Sequence, residues 1–96
     1  MKWLEIIELR SAGSQRALLE SQLQNLINNE VNQDAKQQTI KVYSHVAVET
    51  DFSIHLVHDS HRVNISGSPL GQRLASALKE FGLVNHSVWV ERHNGS

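Results

Sequence analysis

The chain has 96 residues, no cysteine, and a formal net charge of -1 from nine basic and ten acidic residues. This length fits one domain, which we place at 1–93 with a disordered tail at 94–96, and a chain without cysteine has neither disulfides nor thiolate metal ligands. The scattered basic residues give no electrostatic footprint for nucleic acid, and no apolar stretch approaches the roughly 20 residues of a membrane span. We therefore expect a cytoplasmic protein that does not bind membranes and for which nucleic acid is not the first expected partner.

The first predicted strand covers residues 3–9, where apolar side chains occur at both parities. This pattern is typical of a central strand that is covered on both faces. The pattern does not decide whether Trp3, Glu5 and Ile7 or the residues between them face the helices.

A helix is predicted after this strand, with Ser11 or Ser14 as its N-cap. Its apolar residues recur at helical spacings of three and four, and they are Leu19, Leu23, Leu26 and Ile27. The polar run 28–38 indicates that the helix frays there into an exposed connection.

Two runs of alternating apolar and polar residues between Thr39 and Asp59 predict a β-hairpin. The alternating apolar residues are Ile40, Val42, Val46 and Val48 in the first strand and Phe52, Ile54 and Leu56 in the second. Matching the two apolar faces sets His45 opposite His55, because a slip of one residue would pair apolar with polar side chains. Cross-strand Cβ atoms lie roughly 4.5 to 5.5 Å apart, so the two imidazoles are expected to be neighbours.

The second predicted helix covers residues 69–81. Ser68 is a good N-cap, proline is tolerated at the first helical position, and Gly82 is a typical helix end. The last strand is predicted at 84–91. Its two faces carry Val84, Val88 and Val90 on one side and Asn85, Ser87 and Trp89 on the other.

The order strand, helix, strand, strand, helix, strand predicts an α+β protein of the ferredoxin-like βαββαβ class. Right-handed crossovers place both helices on one face of a four-stranded antiparallel sheet. The other face needs cover, and a second copy of the chain is the simplest cover, so we expect a homodimer that pairs through the sheet face.

This topology, over nearly the whole chain, resembles the dimeric α+β barrel superfamily, which includes the antibiotic-biosynthesis monooxygenase-like proteins. The resemblance implies that two sheets pair face to face around a cavity. In the family's cofactor-free oxygenases a tryptophan with polar neighbours lies in that cavity, and the counterpart here would be Trp89 or Trp3. Haem-degrading members carry a ligating histidine on the second helix. Residues 69–81 contain no histidine, so we expect no haem and no other cofactor.

The candidate ligand site on the open sheet face consists of His45, His55, Tyr43 and Trp89. Imidazole serves as base, ligand or pH switch when it lines a cavity, so we expect this site to bind a small molecule. The structural alternative is that these histidines are surface or interface residues. Two functional alternatives remain open: a monooxygenase-like enzyme without a bound metal, and a partner- or RNA-binding module that uses the aromatic side chains of the open face.

Two further patterns in the sequence suggest a metal site and an anion site. His55, His58 and His61 recur every third residue, but residues 55 and 58 of a strand point to opposite faces, so no metal site is predicted. The segment 67–71 begins a helix and offers free backbone amides to an anion such as a phosphate, although Ser68 and Pro69 are explained as a helix cap.

Overall fold

The structure, a computed structural model, describes residues 2–11, 16–34, 38–48 and 50–92. Its elements are β1 (Lys2–Ser11), α1 (Arg16–Asp34), β2 (Gln38–Ser44), β3 (Asp51–Asp59), α2 (Pro69–Leu78) and β4 (Gly82–Val90). The predicted tail at 94–96 and the alternative helix cap Ser14 lie outside the described residues. Neither helix, over the ranges just given, is long and apolar enough to cross a membrane.

The strands form one four-stranded sheet in the order β2-β3-β1-β4. Every neighbouring pair is antiparallel, and β1 is a central strand between β3 and β4. The predicted ferredoxin-like α+β fold is therefore confirmed. In the register, Leu4 lies opposite Val57 on one side and Trp89 on the other.

One face of the sheet is covered by both helices and contains the core. In β1 this face carries Trp3, Glu5 and Ile7, which settles the parity that the sequence left open. Leucines from both helices pack on it in one cluster. The buried members of that cluster are Ile7, Leu9, Leu19, Leu23, Phe52, Ile54, Leu56, Leu70, Leu74, Ala75, Leu78 and Phe81. Because the helices cover only this side, the alternate residues of each strand form an open face.

The ends of the elements differ from the predictions at two places before β2. Ser11 is not a helix cap but the last residue of β1, and its hydroxyl donates to the carbonyl of Thr50 at 2.6 Å. The polar run after Ile27 does not end α1, which continues to Asp34. A polar sequence can remain helical where side chains one turn apart bond to each other. Here the side-chain amide of Gln24 donates to the side-chain oxygen of Asn28 at 3.0 Å.

The predicted hairpin register is wrong. Strand β2 ends at Ser44, which lies opposite Phe52, and Lys41 rather than His45 lies opposite His55. The chain turns after Ser44 because the Nδ1 atom of His45 accepts hydrogen bonds from the backbone amides of Ala47 and Val48, each at 3.0 Å. The alternation of valines therefore continues beyond the strand, into a connection where Val46 is fully exposed.

Candidate functional site

A cavity of about 290 Å³ lies at the end of the sheet where β1 begins and β4 ends. We call it the tryptophan cavity, and it is lined by Lys2, Trp3, Leu4, Val57, Trp89, Val90 and Glu91. Strand pairing creates it, because Leu4 brings Val57 of β3 and Trp89 of β4 to the same level of the open face. Its lining is mostly apolar, with one basic and one acidic residue.

The two tryptophans contribute differently to this cavity. Trp89 belongs to the open face and is 58% exposed, and its indole nitrogen donates to the Ser87 hydroxyl at 2.9 Å. Trp3 is only 5% exposed, because its ring lies on the helix-covered face, on the opposite side of the sheet from Leu4 and Trp89. The Trp3 indole nitrogen donates to the Ser60 hydroxyl at 2.9 Å. Both rings are thus held by hydrogen bonds as well as by packing.

The other predicted site residues do not line the tryptophan cavity, since His55 is in the middle of β3, and Tyr43 and His45 are near the end of β2. Tyr43 and His55 are in contact, with ring centroids 4.7 Å apart, and His55 also bonds to the Ser53 hydroxyl at 3.0 Å. Tyr43 and His45 line a second cavity of about 300 Å³, which we call the hairpin cavity. Its remaining lining residues are Glu8, Leu9, Arg10, Ser44, Asp51, Phe52 and Ser53.

Within one chain, the structure does not bring all four predicted residues together. Tyr43 is on edge strand β2 beside Ser53, whereas Trp89 is on edge strand β4 beside Leu4. They occupy opposite edges and opposite ends of the sheet. The structure brings Tyr43 and His55 together, places His45 in the adjacent connection, and leaves Trp89 in the tryptophan cavity.

A buried carboxylate lies on the helix-covered face, next to the tryptophan cavity. Glu5 is 0% exposed. Its Oε2 atom accepts from His58 Nε2 and from the Ser68 hydroxyl, each at 2.5 Å. Its Oε1 atom accepts from His86 Nε2 at 2.8 Å and from the Ser68 amide at 3.0 Å. We call Glu5, His58, Ser68 and His86 the Glu5 cluster.

The Glu5 cluster explains the anion-binding appearance of the segment 67–71. Ser68 is the N-cap of α2 and accepts from the Gly71 amide at 3.0 Å, as the sequence predicted. The group bound at this helix start is the Glu5 carboxylate of the same chain, which accepts hydrogen bonds from the Ser68 amide and hydroxyl. A negative charge here is also favoured by the helix dipole.

The donors on Glu5 decide what the cluster can do chemically. Each imidazole offers its Nε2 hydrogen to the carboxylate, which fixes the tautomer and orientation of both rings. Both carboxylate oxygens are occupied by protein donors. In the described part of the chain, no group of three or more histidine, aspartate or glutamate residues is placed to hold a metal ion. His55 and His58 do lie on opposite sheet faces, as predicted.

The sequence predictions missed the Glu5 cluster, although a signal for it exists. In β1 the set Trp3, Glu5, Ile7 and Leu9 is more apolar than the alternate set, which carries both an acid and a base in its last two positions. The more apolar set faces the core, so Glu5 had to be buried and needed partners. The identity of those partners has no local signal, because they lie more than fifty residues away.

Solved structures with the same fold were found. The structure of Rv0793 from Mycobacterium tuberculosis superposes with a TM-score of 0.72 at 15% identity, covering 100% of both chains. A proposed antibiotic biosynthesis monooxygenase from Bordetella bronchiseptica superposes with a TM-score of 0.61 at 12% identity, covering 96% of both chains. Both are dimeric α+β barrel structures, and the chain shares their fold. No protein-family model and no curated protein sequence matches the chain.

Proposed function

We propose that the chain is a homodimeric protein that binds a small apolar molecule in the tryptophan cavity. One observation carries the proposal: Trp89, which is 58% exposed on the open face, lines this cavity together with the apolar residues Leu4 and Val57. Aromatic side chains offer large apolar contact area at low entropic cost, and they dominate the lining of ligand sites. The proposal replaces the predicted site of His45, His55, Tyr43 and Trp89 with one that keeps only Trp89.

The size and chemistry of the cavity define the ligand. Its volume of about 290 Å³ lies at the small end of ligand pockets, which typically measure about 300 to 1,000 Å³. Leu4 and Val57 form an apolar floor, and the charged residues Lys2 and Glu91 have opposite signs. This lining favours a small, uncharged and largely apolar ligand.

A second copy of the chain is the proposed cover of the open face. Val57, Trp89 and Leu83 expose apolar surface there, at 36%, 58% and 75%. Contiguous exposed apolar surface marks interaction sites, and a sheet with one bare face needs a second layer. The fold neighbours support the same arrangement, because they are dimeric α+β barrel structures. A partner on this face would close the open side of the tryptophan cavity.

The proposed binding is tested by titrating the ¹⁵N-labelled protein with 2-naphthol, a small bicyclic aromatic alcohol. The Trp89 indole Nε1 signal reports the cavity directly, since Trp89 is exposed on the open face and lines it. We expect this signal to move and to saturate, with the Tyr43 and His45 backbone amides unmoved. Signals that move only at the hairpin cavity would place the ligand elsewhere, and no saturable movement would refute the proposal.

Monooxygenase-like catalysis is the second candidate function. One fold neighbour is described as an antibiotic biosynthesis monooxygenase, and the hydrogen-bonded pair of Glu5 and His58 lies on the helix-covered face of the same two strands that carry Leu4 and Val57. Oxygen uptake with naphthalene-1,4-diol, above the rate of its spontaneous oxidation, would support this candidate. An unchanged rate would leave the protein as a binding module.

The RNA-binding alternative receives less support from the geometry. Stacking platforms for consecutive bases need neighbouring aromatic rings, whereas Tyr43 and Trp89 occupy opposite edges of the sheet. Binding of single-stranded RNA at low salt would restore this alternative. A cytoplasmic location remains part of the proposal, since the chain contains no cysteine.

A further inference from the structure

The ring of His45 holds the connection between β2 and β3 through an atom that carries no proton. Its Nδ1 atom accepts hydrogen bonds from the backbone amides of Ala47 and Val48, each at 3.0 Å. A neutral imidazole has one donor and one acceptor nitrogen, so an Nδ1 atom that accepts leaves the hydrogen on Nε2. A protonated ring has donors at both nitrogens and accepts from neither amide. The two contacts therefore require the neutral form of His45.

The β2–β3 connection has little packing to hold it in this shape. Val46 is fully exposed and Val48 is exposed as well, so neither side chain anchors the turn. Its backbone contributes two further hydrogen bonds, from the His45 amide to the Asp51 carbonyl and from the Asp51 amide to the Val48 carbonyl, each at 3.0 Å. Segments with few buried apolar contacts open locally at small cost in free energy. The two bonds to the imidazole therefore weigh heavily in whether the turn stays closed.

The other hydrogen-bonded histidines of the described chain respond differently to a proton. His55 Nε2 bonds to a serine hydroxyl, which donates or accepts, so this contact survives protonation by reversing its direction. His58 and His86 each donate to the Glu5 carboxylate, and a positive charge on the ring strengthens such a bond. Among the described histidines, His45 alone loses hydrogen bonds to the backbone when its ring gains a proton.

We propose that the β2–β3 connection is a proton-controlled turn, closed by neutral His45 and opened when Nδ1 is protonated. Protonation places an N–H group opposite two other N–H groups and replaces attraction by repulsion. The turn is therefore closed at high pH and opens as the pH falls, within the range of about pH 8 to 5 in which histidine changes its charge. His45 also lines the hairpin cavity, so opening the turn removes one wall of that cavity. This inference does not depend on ligand binding in the tryptophan cavity.

Charged and titratable groups from three strands line the hairpin cavity beside His45. They are Glu8 and Arg10 of β1, Tyr43 of β2 and Asp51 of β3. The two carboxylates attract a cationic imidazole and the guanidinium repels it, so the surrounding charge does not oppose protonation. Glu49, a further acid of the connection, lies outside the described residues.

His45→Asn and His45→Phe form a matched pair of variants. The asparagine side-chain oxygen accepts from backbone amides two and three residues further on, as in an Asx turn, and an amide side chain takes up no proton in this pH range. Phenylalanine keeps a flat ring but has no acceptor. His55→Asn is the control for the titration of another imidazole, since it leaves both amide bonds to His45 in place.

The measurement is solvent exchange of the Ala47 and Val48 amides by NMR between about pH 8 and about pH 5, together with the ring ¹⁵N signals of His45. At the high end, both amides of the wild-type protein should exchange on the order of fivefold more slowly than in His45→Phe at the same pH. This protection should disappear as the ring signals report protonation. His45→Asn should keep it throughout, and His55→Asn should lose it as the wild-type protein does.

Three results would overturn the inference. Equal exchange in the wild-type protein and His45→Phe at high pH would show that the ring does not hold the amides. Protection that persists after the His45 ring is protonated would show that the proton does not open the turn. Protection that His45→Asn has at high pH and loses together with the wild-type protein would assign the opening to another group. If asparagine does not close the turn at any pH, the wild-type titration against His45→Phe decides alone.

Discussion

The Glu5 carboxylate fills the space that a methyl group on Gly71 would need. A Cβ atom built on Gly71 overlaps both the Oε1 atom and the carboxyl carbon of Glu5. Ser68 connects the two residues, since its hydroxyl accepts from the Gly71 amide and donates to Glu5. The first turn of α2 therefore lies against β1 at a distance that only glycine permits.

Gly71→Ala is expected to destabilise the protein. In an ordinary helix position this change stabilises by up to about 1 kcal/mol, because alanine has the higher helix propensity. Here the methyl group displaces the carboxylate from its donors, so the midpoint of urea unfolding should fall. Ser76→Ala, at an exposed position of the same helix, is the control and should be neutral or slightly stabilising. A stabilising Gly71→Ala would show that the carboxylate is not packed there.

The double variant Glu5→Ala, Gly71→Ala tests the same contact from both sides. Removing the carboxylate makes room for the methyl group. The double variant should therefore lose less unfolding free energy than the two single variants lose together. Unfolding free energies of the two single variants and the double variant give the coupling. Strict additivity would contradict the contact.

Glu5→Gln should lower the free energy of unfolding by about 3 kcal/mol. Each carboxylate oxygen accepts from two donors. The NH₂ group of glutamine, in either oxygen position, would therefore point its hydrogens at donors and leave them without an acceptor. Glu8→Gln is the matched control, because Glu8 is on the same strand but exposed on the open face. That change should stay within about 0.5 kcal/mol. Equal effects of the two changes in urea unfolding would argue against a buried, bonded Glu5.

Val57→Lys should weaken the homodimer. Val57 lies on the open face of the central strand β3, opposite Leu4, and a partner sheet would have to bury the introduced charge. Light scattering coupled to size exclusion, over a concentration series, should show a shift from twice 10.8 kDa toward the mass of one chain. Val46→Lys is the control, since Val46 is an exposed valine in the β2–β3 connection and not on the sheet. A wild-type protein that remains monomeric would refute the dimer itself.

Trp89→Ala and Tyr43→Ala distinguish the two cavities. Of these two residues, Trp89 lines the tryptophan cavity and Tyr43 lines the hairpin cavity. Affinity for 2-naphthol should fall at least about fivefold in Trp89→Ala, since truncating an aromatic residue that carries binding energy costs about 1 kcal/mol or more, and remain unchanged in Tyr43→Ala. The reverse result would return the site to the residues that the sequence suggested.

The fold followed from the sequence because its signals are local. The alternation in β3, the N-cap Ser68 and the proline after it each report on a few adjacent residues, and the structure contains all three. The hairpin register failed because its decisive interaction is a side chain acting on the backbone. His45 Nδ1 accepts hydrogen bonds from two backbone amides, and the chain turns there. Val46 and Val48 continue the alternating sequence pattern of a strand, although they lie outside β2.

The candidate site was only partly predictable for a different reason. Trp89 was assigned to the correct face by its strand alternation, but its cavity depends on Leu4 and Val57 from two other strands. Sheet order and register determine such neighbours, and neither is encoded within one segment. The same holds for His58, which meets Trp3 only through the pairing of β3 with β1.

The donors that satisfy Glu5 come from positions 53, 63 and 81 residues further along the chain. During synthesis, Glu5 thus emerges long before any of them and must stay hydrated until His86 has left the ribosome. Contacts over such long sequence separations form slowly, so we expect the last hydrogen bond to Glu5 to form late in folding. The complete set of donors to this buried carboxylate exists only when β4, the last strand, is paired with β1.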